Sequence, residues 1–114
     1  MKINGTDITM IRGDSECIYV TVVDTSGEPV PLREGDTIYF TVKTSTQTEK
    51  KIIQKVVTVF EDGGAIIEIE PDDTRGVGAG TYFYDIQLTR ENGEVKTIIH
   101  PSRFTVKGDV THEQ

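Results

Sequence analysis

Short runs of alternating apolar and polar residues, separated by turn-forming residues, dominate the chain. Such alternation predicts β-strands, because successive side chains of a strand point to opposite faces. The clearest runs are 16–23, 37–43, 65–70 and 81–90. The side chains expected to share the inward faces are Ile18, Val20, Val22, Ile38, Phe40, Val42, Ala65, Ile67, Ile69, Tyr82, Tyr84, Ile86 and Leu88. Strands with one apolar and one polar face are typical of antiparallel sheets with one solvated side.

Turn signals separate these runs about every eight to fifteen residues, a spacing typical of an all-β sandwich or barrel. The strongest is Asn92-Gly93, between 81–90 and 94–99. It predicts a hairpin with a type I′ turn, in which both central residues have positive φ.

The last strand contains a proline, Pro101, which has no N–H to donate to a sheet. We therefore expect a bulge or a sheet edge there, with the strand resuming over 103–107. The polar tail 108–114 is expected to fray. The single domain 1–114 thus has a predicted ordered core of about 8–107.

The segment 49–60 fits two interpretations. Ile52, Ile53, Val56, Val57 and Phe60 follow helical spacing, and Thr46 with Glu49 resembles a capping box. Many of its residues are β-branched, however, and lose side-chain freedom in a helix. A turn at 61–64 leads into another strand, so we favour a strand and a hairpin.

About seven strands without a long helix predict two packed antiparallel sheets of the immunoglobulin-like type. The polar connection 44–50 is expected to carry the chain from one sheet to the other.

Gly80 precedes a strand that opens with Tyr82 and Tyr84. In immunoglobulin-like domains a tyrosine corner stands there, its hydroxyl bonded to upstream backbone. Tyr82 fits that role, and Tyr84 would fill a core position. The alternative is that both tyrosines are ordinary inward-facing strand residues.

Composition narrows the function classes. The chain has 114 residues, enough for one domain, and a net charge of -7. That charge disfavours nucleic acid and anionic membranes as partners. One cysteine, Cys17, excludes an internal disulfide, and its apolar neighbours predict a buried, inert thiol. The first residues lack the apolar region of a signal peptide, so no secretion by that route is expected.

Several motifs occur in an order that resembles a known group of domains. They are Arg12-Gly13-Asp14, Gly27-Glu28-Pro29-Val30, Gly35-Asp36-Thr37, Phe40-Thr41-Val42-Lys43, Pro71-Asp72-Asp73-Thr74, the run 79–86, and Phe104-Thr105-Val106. Together they resemble the immunoglobulin-like β-sandwich modules of tailed-phage and prophage virion proteins, such as the N-terminal module of the phage baseplate upper protein.

The resemblance implies a structural and binding role, with no catalytic residue and no cofactor. It implies other virion subunits, or a second copy in a homo-oligomer, as partners. The implied location is the bacterial cytoplasm during synthesis and the virion afterwards.

Candidate chemistry is sparse. Arg12-Gly13-Asp14 matches a tripeptide that integrins recognise, but a turn between two strands is the favoured interpretation. Asp72-Asp73 and Glu61-Asp62 lack the pattern of a calcium loop and are expected to be solvated turn residues. Two histidines, His100 and His112, are too few for a metal cluster.

No catalytic motif is present in the sequence. It contains no G-x-S-x-G elbow, and the glycines of 76–80 lack the Lys-Ser/Thr that completes a phosphate loop. An enzyme is therefore the least supported class.

Tyr39 and Phe83 are expected to point away from the core. They form either a patch on which a partner or sister subunit packs, or isolated exposed aromatics. With no catalytic motif in the sequence, the resemblance implies a non-enzymatic assembly module of a phage or prophage particle. The alternative is a carbohydrate- or cell-surface-binding module, although such sites usually display more aromatic residues.

Overall fold

The computed structural model describes residues 1–109, which form eight strands and one short helix. The elements are β1 (Lys2–Asn4), β2 (Asp7–Ile11), β3 (Glu16–Val20), β4 (Thr37–Lys43), β5 (Lys51–Val57), β6 (Ala65–Ile69), α1 (Pro71–Arg75), β7 (Gly80–Thr89) and β8 (Val95–Lys107). The segment 49–60 therefore contributes a strand, as favoured from its β-branched residues, but the hairpin expected after it was wrong, because β5 and β6 belong to different sheets. The predicted tail lies outside the described residues, except for Gly108 and Asp109.

The strands form two sheets of unequal size. One has six strands in the order β1-β2-β8-β7-β4-β5, and the other contains only β3 and β6. The predicted all-β sandwich is thus confirmed. One pair departs from the antiparallel expectation, because β2 runs parallel to β8. No hairpin joins these two strands, so their direction is not fixed by a short connection.

The prediction for 44–50 was wrong. This segment joins β4 to β5, which are antiparallel neighbours in the same sheet. The chain changes sheet instead along 12–15, 21–36, 58–64 and 70–79. On β5, the side chain of Ile53 points into the core beside Val42 of β4. The polar segment 44–50 therefore only has to turn the chain back within one sheet.

The core lies between the sheets and is built from the inward sets of the alternating runs. Its centre holds three rings from adjacent strands: Phe40 of β4, Tyr84 of β7 and Phe104 of β8. The ring centroid of Phe40 lies 5.3 Å from that of Tyr84 and 6.1 Å from that of Phe104.

The hairpin between β7 and β8 forms where predicted but with a different turn. Gly93 has a φ of 91°. Among the non-glycine residues of the described part of the chain, only Asp62 has a positive φ. Asn92 therefore lacks the positive φ of a type I′ turn. The Gly93 N–H donates to the Arg90 carbonyl at 2.9 Å, closing a longer loop that ends in a left-handed glycine. The Asn92 side chain stabilises this loop by accepting from the Glu94 N–H at 2.9 Å.

The turn into β7 has the hydrogen bond of a tyrosine corner. After α1 the chain reaches Gly80, the first residue of β7. The Tyr82 hydroxyl donates to the Gly78 carbonyl at 2.6 Å. Tyr84 points into the core, and its hydroxyl donates to the Thr6 carbonyl in the turn between β1 and β2.

Ordered contacts extend beyond the predicted core limits of 8 and 107. The Met1 ammonium pairs with Glu16 at 3.0 Å, and β1 pairs with β2. Near the other end, Arg12 Nε lies 3.0 Å from Asp109 Oδ1.

None of the helices formed by residues 1–109 has the length and hydropathy to cross a bilayer.

Candidate binding site on the six-stranded sheet

The outer side of the six-stranded sheet carries an open depression. We call this side the front face and the depression the front groove. Its floor comes from β4 and β7, whose inward residues fill the core. Their outward residues face one another in pairs: Tyr39 with Gln87, Thr41 with Asp85, and Lys43 with Phe83. The groove has a volume of about 450 Å³.

The two aromatic candidates lie toward opposite ends of the front groove, because Tyr39 pairs with Gln87, four residues along β7 from Phe83. Tyr39 and Phe83 both line the front groove and are half-buried, although they lie on different strands. Gln54 of β5 and Pro101 of β8 form opposite walls. The Gln54 amide donates to the Thr41 hydroxyl at 3.1 Å, which orients both groups at the floor.

A bulge in β8 shapes the wall beside Asp85. Tyr84 pairs with Ser102 and Ile86 with Ile99, so His100 and Pro101 together oppose Asp85. This confirms the bulge predicted from Pro101. The Ser102 hydroxyl donates to the His100 carbonyl at 2.9 Å, which supports the distorted backbone.

Asp85 lies near the centre of the front face. Burial raises the pKa of its carboxyl group above the ordinary value, and the neighbouring Lys43 ammonium offsets part of this rise. A partner that covers the groove would desolvate this carboxylate further, so it would have to supply a hydrogen-bond donor.

One end of the front face is basic. Lys51, Lys43, Phe83 and Arg103 form a row across four neighbouring strands, as the register shows. The ion pairs formed within residues 1–109 do not include Lys43 or Lys51. Like charges side by side on neighbouring strands repel, so this end of the face favours an anionic partner.

The other end of the front face is apolar. Val56 of β5 pairs with Tyr39 and is 54% exposed. Val95, which opens β8, is 58% exposed and also lines the groove. The front face therefore combines an apolar end, a polar centre and a basic end.

The remaining candidate motifs serve the fold. The Gly13 N–H donates to the buried Thr74 hydroxyl at 2.8 Å, and Arg12 pairs with Asp109, so Arg12-Gly13-Asp14 is held as a turn. Asp72 pairs with Arg75, and Asp73 pairs with Lys55 at 2.7 Å. Within residues 1–109, no three His, Cys, Asp or Glu side chains converge as a metal site requires. His112 lies outside the described residues.

The expectation of a buried thiol was wrong. Cys17 is exposed on the outer side of the two-stranded sheet, opposite Glu68 of β6. No further strand of the described chain packs over this side, so the apolar neighbours in sequence do not cover it.

The sequence interpretation missed Gln54, Lys43 and Lys51 as parts of the site. Alternation along β4 already placed Thr41 and Lys43 on the same face as Tyr39. The position of Gln54 and Lys51 depends on the pairing of β5 with β4, for which the sequence carried no local signal.

A comparison with known families found no match, and no curated protein matches the chain significantly.

The Tyr84 hydroxyl yields a prediction about alkaline stability. Burial and then the charge of Asp7 raise the pKa of Tyr84 to about 12. The folded state therefore keeps a proton that the unfolded state loses, and stability falls as pH rises from about 10 to 12. Tyr84→Phe is expected to lower the free energy of unfolding by about 1 kcal/mol below pH 10, through loss of the bond to Thr6. Between pH 10 and 12, the free energy of unfolding of Tyr84→Phe should fall less steeply than that of the wild type.

Urea denaturation at several pH values, followed by circular dichroism, measures both effects. Tyr39→Phe is the matched control, because the Tyr39 hydroxyl lies on the front face and not in the core. Equal alkaline slopes for Tyr84→Phe and the wild type would contradict the role of this proton.

Proposed function

We propose that this chain is a non-enzymatic structural module of a phage or prophage particle, and that it acts through protein–protein contacts on its front face. The observation that carries this proposal is the front groove itself. It carries two half-buried aromatic rings, the exposed Val95 and the basic side chains of Lys43 and Lys51 on one face of a sheet. A rigid sheet presents such a surface without the entropy cost of ordering a loop on binding.

The resemblance to virion modules supports the particle as the setting. In that setting the partner is another virion subunit or a second copy, and the chain is made in the bacterial cytoplasm before assembly. The carboxylate excess would keep the free subunit dispersed until then.

A second contact is available along β8. Its last residues pair with β2, and the Arg103 N–H donates to the Asp7 carboxylate, whereas 95–102 pair only with β7 and leave one edge open. An extended partner segment could add to this edge as a further strand.

The test uses the bacterium that carries the gene. Particles are induced, purified by density gradient and analysed by mass spectrometry. We expect the chain in the particle fraction and its gene among capsid, tail or baseplate genes. The double variant Tyr39→Ser/Phe83→Ser should stay folded but be lost from the particles, whereas Val59→Ser, at a side chain 82% exposed away from the groove, should be retained. A chain found only in the cytosol, or a gene within a metabolic operon, would overturn the proposal.

One observation favours the alternative of a carbohydrate-binding module. The groove places aromatic rings beside amide and carboxylate groups, from Gln54, Gln87 and Asp85. Its volume lies within the range of small-molecule sites. A glycan array distinguishes the two functions: a bound glycan that is lost on Asp85→Ala supports this alternative, and an array without any binder excludes it.

A further inference from the structure

The outer side of the two-stranded sheet has a layout like that of the front face. We call it the back face. The side chains of Tyr19 and Ile66 are cross-strand neighbours at its apolar end. Tyr19 is 50% exposed, and its hydroxyl donates to the Glu61 carbonyl at 2.9 Å, which holds the ring along the sheet. Farther along, the exposed Glu68 of β6 and Glu70 just after the strand make the other end acidic, and the Glu70 carboxylate also accepts from the Asp73 N–H at the start of α1.

The spacing of these ends matches that of the front face. On β4, Tyr39 and Lys43 are four residues apart, and on the back face Ile66 and Glu70 are also four residues apart. At the rise of an extended strand, each separation is about 13 Å. An apolar contact and a charge contact can therefore form at the same time between one front face and one back face.

The two charged ends lie at the same end of the sandwich. The helix α1 and the short connection 76–79 lead from Glu70 to the start of β7, whose Phe83 pairs with Lys43. The position of β6 across the six-stranded sheet follows from an ion pair between the sheets. The Lys55 ammonium of β5 lies 2.7 Å from the carboxylate of Asp73, which follows β6 in the chain. Hence β6 lies behind the β5 side of the six-stranded sheet. A second copy stacked without rotation, and shifted along the strands until the two charged ends meet, would place Glu70 over Lys43 and Lys51.

We infer that a second copy of this chain is the partner of the front face, with its back face stacked on the front groove. This inference rests on the proposed function, because it names the partner of the same surface. Each copy would follow the last by about 20 Å, two sheet-to-sheet spacings. The contact joins two different surfaces, so it leads to an open stack rather than a closed dimer.

Charge decides how this stack is to be measured. Each copy has a net charge of -7, so distant charges oppose association. At physiological ionic strength the Debye length is about 8 Å, and the local contact between Lys43, Lys51 and Glu70 persists while the long-range repulsion is screened. Sedimentation velocity of the concentrated full chain in physiological salt is therefore the appropriate measurement.

The first test reverses the charge of each face. One variant carries Lys43→Glu and Lys51→Glu, and the other carries Glu68→Lys and Glu70→Lys. The wild type should reach at least about twice the monomer mass at high concentration, since an open contact adds copies without closure. Each variant alone should stay monomeric, and their equimolar mixture should return to the wild-type mass. Because Glu70 precedes α1, Glu68→Lys alone is included in case the double variant unfolds.

The second test uses the exposed thiol of Cys17, which lies on the back face. The stack brings it over the row of Thr41 and Asp85 of the next copy. With a short bis-maleimide, Thr41→Cys should give a ladder of covalent trimers and larger species. The wild type has one thiol and can give only dimers. The matched control is Val59→Cys, which has two thiols but should give no ladder.

A monomeric wild type, a mixture of charge variants that stays monomeric, or equal ladders from both cysteine variants would overturn the stack. If the chain were still found in particles, the proposed function would stand with a different partner.

Discussion

Replacing Phe40 by alanine is expected to lower the free energy of unfolding by about 3–5 kcal/mol, the range observed when aromatic residues are truncated in protein cores. Phe40 is fully buried and contacts two rings, that of Tyr84 on the adjacent strand β7 and that of Phe104 on β8, one strand farther. The rings are held by three backbones of one sheet, so they cannot move far enough to fill the space. Urea denaturation followed by circular dichroism gives the loss directly.

Phe83→Ala is the control for this change, because it removes the same ring from the front face. Phe83 is half-buried, and its truncation should cost about 1 kcal/mol. Single domains are stable by only about 5–15 kcal/mol, so Phe40→Ala could leave a large unfolded fraction. Phe40→Leu keeps most of the volume and provides a folded second variant with a smaller loss. Equal losses for Phe40→Ala and Phe83→Ala would contradict a core centred on the three rings.

The inner faces of the central strands were predictable from sequence because the period of two is a local property. In β4 and β7, every second residue from Ile38 and from Tyr84 is buried, as the alternation required. The same regularity placed Tyr39 and Phe83 outside. The bulge at Pro101 was also predictable, since a missing N–H has the same effect in any sheet.

The features that failed or were missed depend on distant pairing. The segment 44–50 looks the same whether it turns within a sheet or crosses between sheets, and only the partner of β5 decides. Cys17 has apolar neighbours along the chain, but its side is exposed because the second sheet has only two strands. The basic row exists because β5, β4, β7 and β8 are in register, and no short stretch of sequence contains it. The front face was therefore predictable in its aromatic residues and not in its charge.

A buried ion pair at the opposite end of β4 from the basic row gives the second large expected effect. Asp36 is 3% exposed, and its Oδ2 accepts from Arg90 at 2.9 Å and from the Arg33 N–H at 3.1 Å. Arg90→Ala would leave this carboxylate buried with its backbone donor alone. We expect a loss of about 3 kcal/mol in the free energy of unfolding, the lower part of the range for such broken pairs, because Arg90 itself is partly exposed.

Arg33→Ala is the matched control, since the Arg33 side chain is exposed and the bond from its backbone N–H remains. In the double variant Asp36→Ala/Arg90→Ala the loss should fall well below the sum of the single losses, because no unpaired charge stays buried. Strict additivity in this cycle, measured by urea denaturation, would show that the two side chains do not depend on each other.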